Sequence, residues 1–252
     1  MPQGVMIVTG GSRGIGAATA RLGAKAGYHV VVNYVSNLAA AQSVVRSIEA
    51  SGGRATAIAG DVGKEEDILA LFAAADELGP LSVLVNNAGV VDEIARVDEM
   101  SLARIERMMR INVIGTMLCA REAVKRMSTR HGGQGGSIIN VSSAAAKLGA
   151  PGQYVDYAAA KGAVDTFTVG LAREVVAEGV RVMGVRPGII DTEIHASGGQ
   201  PDRVQQVAAQ MPMQRVGTAD EVARAIVWLA SDAASYSTGA ILDVSGSRSI
   251  AP

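Results

Sequence analysis

The most specific chemistry in the chain is carried by two side chains four residues apart, Tyr157 and Lys161. On a helix that spacing puts both on one face, within side-chain reach. A phenol ordinarily titrates near pH ~10, too high to exchange protons readily near neutrality. A neighbouring ammonium favours the phenolate and lowers that value. A fall of about three units corresponds to roughly 4 kcal/mol of differential stabilisation. The pair predicts a tyrosine that gives and takes a proton. Tyr154 is the rival phenol, but it stands two turns from Lys161, ~10 Å along a helix axis. It reads as a pocket wall. A serine hydroxyl could orient the reacting oxygen. The candidates are Ser142 and Ser143, with Ser143 preferred.

These groups need a scaffold, and the pattern around them supplies one. Short apolar, β-branched runs occur at Val5–Thr9, His29–Asn33, Ala55–Ala59, Val83–Asn86, Ser137–Val141, Arg181–Val185 and Ala240–Val244. Most are apolar throughout rather than alternating, as in strands covered on both faces. Helical stretches are expected at Gly14–Ala26, Leu38–Ala50, Lys64–Leu78, Leu102–Arg110, Val113–Met127, Tyr154–Glu178 and Ala219–Ser231. About seven strands interleaved with helices predict a Rossmann-type, doubly wound parallel α/β sheet. No repeat or linker divides residues 1–252, so one domain is expected.

The first strand runs into Thr9-Gly10-Gly11-Ser12-Arg13-Gly14-Ile15-Gly16 and then a helix. Glycines let the backbone turn sharply and approach a pyrophosphate, and the helix N-terminus offers free N–H groups. The spacing is not the common G-x-G-x-x-G, but the strand–loop–helix context points to a dinucleotide. No Lys-Ser or Lys-Thr pair closes the loop, which disfavours a nucleoside triphosphatase. A carboxylate after the second strand would bind the ribose hydroxyls of NAD. This chain has Asn33 and Tyr34 there, and no acid from Asn33 through Gln42. With Arg13 inside the loop, NADP(H) is expected in preference to NAD(H).

Further motifs follow in order: Asp61-Val62, Asn86-Asn87-Ala88-Gly89, Asn112, Ser142-Ser143, Tyr157-x3-Lys161 and Pro187-Gly188. Together with the loop they resemble the classical branch of the short-chain dehydrogenase/reductase superfamily, from Val5 to about Gly246. The resemblance implies hydride exchange with a nicotinamide cofactor. It implies Tyr157 as acid and base between a carbonyl and a secondary alcohol, beside Ser143. Lys161 would lower the tyrosine pKa and hold the nicotinamide ribose. Asn112 would anchor a water in a relay to Lys161. Asp61 and Val62 would flank the adenine, and Asn87, Ala88 and Gly89 would line the cleft behind the ribose. Pro187, Gly188, Ile190 and Thr192 would hold the nicotinamide end. A substrate lid is implied near residues 189–213, closed by Met211-Pro212-Met213, and a homotetramer with the 113–127 and 154–178 helices in an interface. Two departures stand out: Met183 where the family often has Asn, and one extra residue between Ser143 and Tyr157.

Other partners are disfavoured. Net charge is −1, and no basic run suggests nucleic acid. No apolar run approaches the ~20 residues that span a bilayer, and a cytoplasmic protein is expected. Apolar residues make up 48% of the chain, enough for a substantial core. Cys119, the one cysteine, reads as a buried filler. Asp191, Glu193 and His195 alternate and could share a face, but a solvated loop is preferred and no metal is expected. The substrate is expected to be a small carbonyl or alcohol of unspecified identity.

Overall fold

Short β-branched runs form the strands, and Ala-rich amphipathic stretches form the helices that cover them. The computed structural model describes residues 4–194 and 198–249. The first half runs β1 (Val5–Val8), α1 (Gly14–Lys25), β2 (His29–Tyr34), α2 (Leu38–Ala50), β3 (Arg54–Ala59), α3 (Glu65–Asp76) and β4 (Leu81–Asn86). Then come α4 (Leu102–Met109), α5 (Gly115–Met127), β5 (Gly136–Val141), α6 (Ala145–Leu148), α7 (Val155–Val175) and β6 (Val180–Pro187). The chain continues through β7 (Ile190–Asp191), α8 (Arg203–Val207), β8 (Gly217–Thr218), α9 (Ala219–Ala230) and β9 (Ile241–Val244).

Seven strands make one sheet in the order β3-β2-β1-β4-β5-β6-β9, and every pairing is parallel. Helices α1, α2 and α9 bury Ala20, Val44 and Ile226 on one face. Helices α3, α5 and α7 bury Phe72, Ala123 and Ala172 on the other. Both faces are covered, which explains why the central strands are largely apolar. The strand order reverses between β1 and β4. In sheets of this kind ligands bind at that reversal, outside the carboxyl ends of the strands.

All seven expected strands and all seven expected helices are present, with ends shifted by a few residues. The short parallel pair β7–β8 was not anticipated. The 113–127 helix begins differently from the expectation: a π-turn over Arg110–Ile114 precedes α5. Tyr154 caps α7 rather than belonging to it. Met183 is fully buried, paired with Ile139. Polar contact in this part of the sheet falls instead to Asn140, which accepts from the Asn86 amide at 2.9 Å and donates to Thr168 at 2.9 Å.

Candidate active site

Tyr157 and Lys161 project from the first turns of α7 toward the end of β5. Lys161 is 4% exposed, and its Nζ donates to the Val141 carbonyl at 2.8 Å. The same Nζ lies 5.6 Å from the centre of the Tyr157 ring. Burial pushes the Lys161 ammonium down to about 8, only partly opposed by Asp165. Tyr157 moves in the opposite direction from the sequence expectation: burial raises its pKa, while the Ser143 hydroxyl pulls it down. The physical reason is desolvation, which penalises a phenolate in a dry cleft.

The two serines separate clearly. Ser142 is buried, and its hydroxyl donates to the Lys161 carbonyl at 3.2 Å. Ser143 acts on the phenol, and its Oγ accepts from the Ala145 N–H at 3.1 Å. Both line the cavity, but only Ser143 has a hydroxyl turned to Tyr157.

Asn112 sits in the π-turn and is fully buried. Its amide donates to Val90 O at 3.1 Å and Met108 O at 3.1 Å, and its Oδ1 accepts from Val90 N at 3.2 Å. The side chain is thus engaged in fixing the strand-four loop. A Cβ on Gly89 would come within 2.7 Å of Asn112 Oδ1 and 3.5 Å of Lys161 Nζ. Only glycine lets that loop run between the two.

The phosphate loop turns at Gly10 (φ +61°) and Gly14 (φ +50°). A Cβ on Gly16 would strike Gly10 O at 2.4 Å. Asn87 staples the loop from the next strand, donating to Thr9 O at 2.9 Å and Gly10 O at 3.1 Å. The Thr9 hydroxyl accepts from the Asn87 and Ala88 N–H groups, both at 3.0 Å. Helix α1 has no side-chain cap and no acid in its first turn. Its leading N–H groups and positive dipole end are available to an anion. These features fit a dinucleotide pyrophosphate.

Asn33 has a different task from the expected one at the cofactor ribose. It is buried, accepts from Gly10 N at 3.2 Å and donates to Gly60 O at 2.9 Å. Its amide is spent holding the loop. Tyr34 is half-buried at the end of β2, Ser12 is half-buried, and Arg13 is exposed. Among the described residues the Arg13 guanidinium has no hydrogen-bond or ion-pair partner.

Asp61 is half-buried and accepts from Gly63 N at 2.8 Å, leaving an oxygen free of that bond. Val62 is buried, and its side chain packs in the core rather than facing the cleft. Gly188 packs so closely on Ser245 that a Cβ would meet its Cα at 2.8 Å. Thr192 reaches over the phosphate loop, 3.1 Å from where a Gly14 Cβ would stand. A cavity of about 300 Å³ joins these pieces, from Ile15 and Gly188 to Ser143, Tyr157 and Lys161.

Residues 10–246 match the family model described as enoyl-(acyl carrier protein) reductase. The chain is 54% identical over 245 residues to the uncharacterized oxidoreductase YgfF of Escherichia coli, covering 97% of this chain and 99% of that one. A Serratia marcescens short-chain dehydrogenase/reductase superposes with a TM-score of 0.90 at 32% identity, covering 99% and 100% of the two chains. The chain belongs to the short-chain dehydrogenase/reductase superfamily. A Burkholderia cenocepacia short-chain dehydrogenase solved in complex with NADP is also similar: TM-score 0.86, 31% identity, 96% of each chain.

In this short-chain dehydrogenase/reductase several cavity residues carry no motif. Arg203 and Arg248 line the cavity beside Tyr154 and Gln153. No sequence signal marks them, because Arg203 lies in a loop-rich stretch and Arg248 near the end of the chain. Arg104 was missed as well: its Nε donates to Asp156 at 2.8 Å, one residue before Tyr157. Met211 and Met213 line a separate, smaller cavity with Ile189 and Gly246, not the one at Tyr157. Cys119 is fully buried, and burial raises its thiol to about 12. Asp191 and Glu193 are exposed, and His195 lies outside the described residues. Among the described residues no cluster of His, Cys, Asp or Glu could hold a metal ion.

Proposed function

We propose that this enzyme interconverts a carbonyl compound and a secondary alcohol with NADP(H), using Tyr157 as acid and base. One observation carries the reading: Tyr157, Ser143 and Lys161 open onto the same cavity as Gly188 and Thr192, next to an uncapped helix N-terminus. A nicotinamide cofactor, when bound, supplies or accepts the hydride.

The chain's residues do the rest. Ser143 donates to the carbonyl oxygen and fixes its direction. Tyr157 gives that oxygen a proton during reduction and takes it back during oxidation. Lys161 holds the nicotinamide ribose hydroxyls and lends positive charge beside the phenol. Asn112 keeps the Gly89–Val90 loop, and hence the wall next to Lys161, in place. The α1 N-terminus with Ser12, Arg13 and Ile15 holds the pyrophosphate. Asp61 and the backbone at Val62 bound the adenine, and Asn87, Ala88 and Gly89 the ribose behind it. Pro187, Gly188, Ile190 and Thr192 grip the nicotinamide end. The described part of residues 189–213 covers the substrate side of the single domain.

NADP(H) over NAD(H) is supported by the absence of an acid after β2 and by the unpartnered Arg13. The Burkholderia enzyme solved with NADP, and a 36% identical blue fluorescent protein from a metagenomic library solved with NADPH, support the use of NAD(P). No described helix is long and apolar enough to cross a membrane, and we read the enzyme as a cytoplasmic homotetramer.

The test is Tyr157→Phe, assayed by NADPH oxidation across ketones, aldehydes, sugars and acyl thioesters, with NADH in parallel. Turnover should fall on the order of 10²–10⁴-fold while NADPH binding, followed by its fluorescence, survives. Undiminished turnover would sink the assignment. Activity on a crotonyl thioester but on no carbonyl compound would move the reaction to an enoyl reduction.

A further inference from the structure

Charge in the substrate half of the cavity is one-sided. Three cations line it: Lys161, Arg203 and Arg248. No Asp or Glu among the described residues does. Lys161 belongs to the proton chemistry. The two arginines do not: Arg203 stands beside Tyr154, the N-cap of α7, and Arg248 lines the same cavity.

Their partners are neutral or absent. Arg203 donates to Gln153 Oε1 at 2.9 Å and to Gln200 Oε1, and its guanidinium lies 5.8 Å from the centre of the Tyr154 ring. That fixes its direction without cancelling its charge. Arg248 is half-buried, and among the described residues its guanidinium has no hydrogen-bond or ion-pair partner. Burial and the charge of Arg203 both act against its protonated form. Two like charges held together in a partly dry cavity cost free energy unless an anion joins them. Two acids on adjoining segments are paired elsewhere: Asp243 with Lys147 at 2.7 Å, and the buried Asp156 with Arg104.

We infer that Arg203 and Arg248 form an oxyanion-binding site, so that the preferred substrate is a carbonyl or alcohol compound carrying a carboxylate or phosphate. Guanidinium groups suit such groups because their forked N–H donors match two oxygens at once. Tyr154 stands one turn of chain before Tyr157, so the anion sits roughly one helical pitch, ~5 Å, or more from the reacting carbonyl. The inference rests on the cavity being the carbonyl site proposed above.

The experiment compares levulinate with its methyl ester, and dihydroxyacetone phosphate with dihydroxyacetone. It uses the full chain with NADPH. In the wild-type enzyme kcat/KM should favour the anion of at least one pair roughly tenfold or more, a typical effect of charge-assisted bonds. In Arg248→Met that ratio should fall toward one, and Arg248→Lys should restore part of it. A ratio is insensitive to lost folded protein, because both members of a pair lose equally. Preference confined to the phosphate pair assigns the site to phosphate, and preference in the keto-acid pair assigns it to carboxylate. Equal rates within both pairs, or a ratio unmoved by Arg248→Met, overturns the site. Calorimetric titration of the NADP-loaded protein with the same compounds separates the two readings. If nothing is turned over but an anion binds and Arg248→Met abolishes binding, the site stands and the reductase reading falls. If esters or neutral sugars bind as well as the anions, the site falls whatever is turned over.

Discussion

Lys161 is a cation held where cations are penalised, and the consequence is measurable. Its folded pKa is about 8, against an ordinary 10.5. Between those values the unfolded chain binds more protons than the folded one, so stability rises with pH across that window. Below about 8 the penalty is present in full. The urea midpoint of the wild type, measured relative to Lys161→Met, should therefore rise as pH goes from 8 toward 10.5. A constant difference would contradict the burial argument. Catalysis should show the same group. The pH profile of kcat/KM reports the free enzyme, so carbonyl reduction should decline as pH passes about 8 and Lys161 loses its charge. Tyr157 does not compensate, because burial raises rather than lowers its pKa. The phenol was legible from its spacing to Lys161. Its pKa was not, because desolvation is a property of the assembled cleft.

At the scale of elements, one ion pair sets where α7 begins. Arg104 on α4 reaches Asp156 with Nε at 2.8 Å, and the two side chains are 11% and 4% exposed. A further guanidinium nitrogen donates to Glu93 O at 2.8 Å, tying in the loop after β4. Asp156 Oδ1 also accepts from the Tyr157 N–H at 2.9 Å. Removing one partner of a buried pair strands the other charge, which costs about 3–5 kcal/mol. Arg104→Met should destabilise by about that much in urea unfolding and lower kcat with it, since Tyr157 is the next residue. Adding Asp156→Asn should cost less than the sum of the single changes. The additive result would show that the pair is not coupled. The strands were readable because β-branched runs report burial on both faces. The clamp was not, because residues 104 and 156 meet only once the sheet is wound. The same holds for Asn33, whose partner Gly60 lies one strand away, and for the π-turn at Asn112, which leaves no mark in hydrophobic spacing.

At the scale of the whole molecule, two of the places that leave apolar side chains in water lie on different elements. On α4, α5 and α7, Leu102, Met117 and Val169 are 70%, 38% and 38% exposed. At the far end of the sheet, Trp228 on α9 and Leu242 on the edge strand β9 are 44% and 39% exposed, with Tyr236 fully so. An edge strand with unpaired backbone groups and neighbouring aromatics is a pairing hazard unless something covers it. In the homotetramer proposed above, a second copy of the chain would cover such a surface with itself through a two-fold axis. Two different self-complementary surfaces generate a closed tetramer rather than an open fibre. Light scattering after gel filtration should then give four times the 25.8 kDa chain mass. Met117→Glu with Val169→Glu should leave a dimer held by the β9 surface. Trp228→Glu with Leu242→Glu should leave a dimer held by the helices, and all four changes a monomer. A charge buried without a partner at an interface costs several kcal/mol, enough to dissociate it at micromolar concentration. A monomeric wild type at that concentration would refute the assembly, and a variant pair that leaves the tetramer intact would place that interface elsewhere. Neither surface includes Tyr157 or Arg248, so a dimer from either pair should keep a complete cavity and measurable turnover.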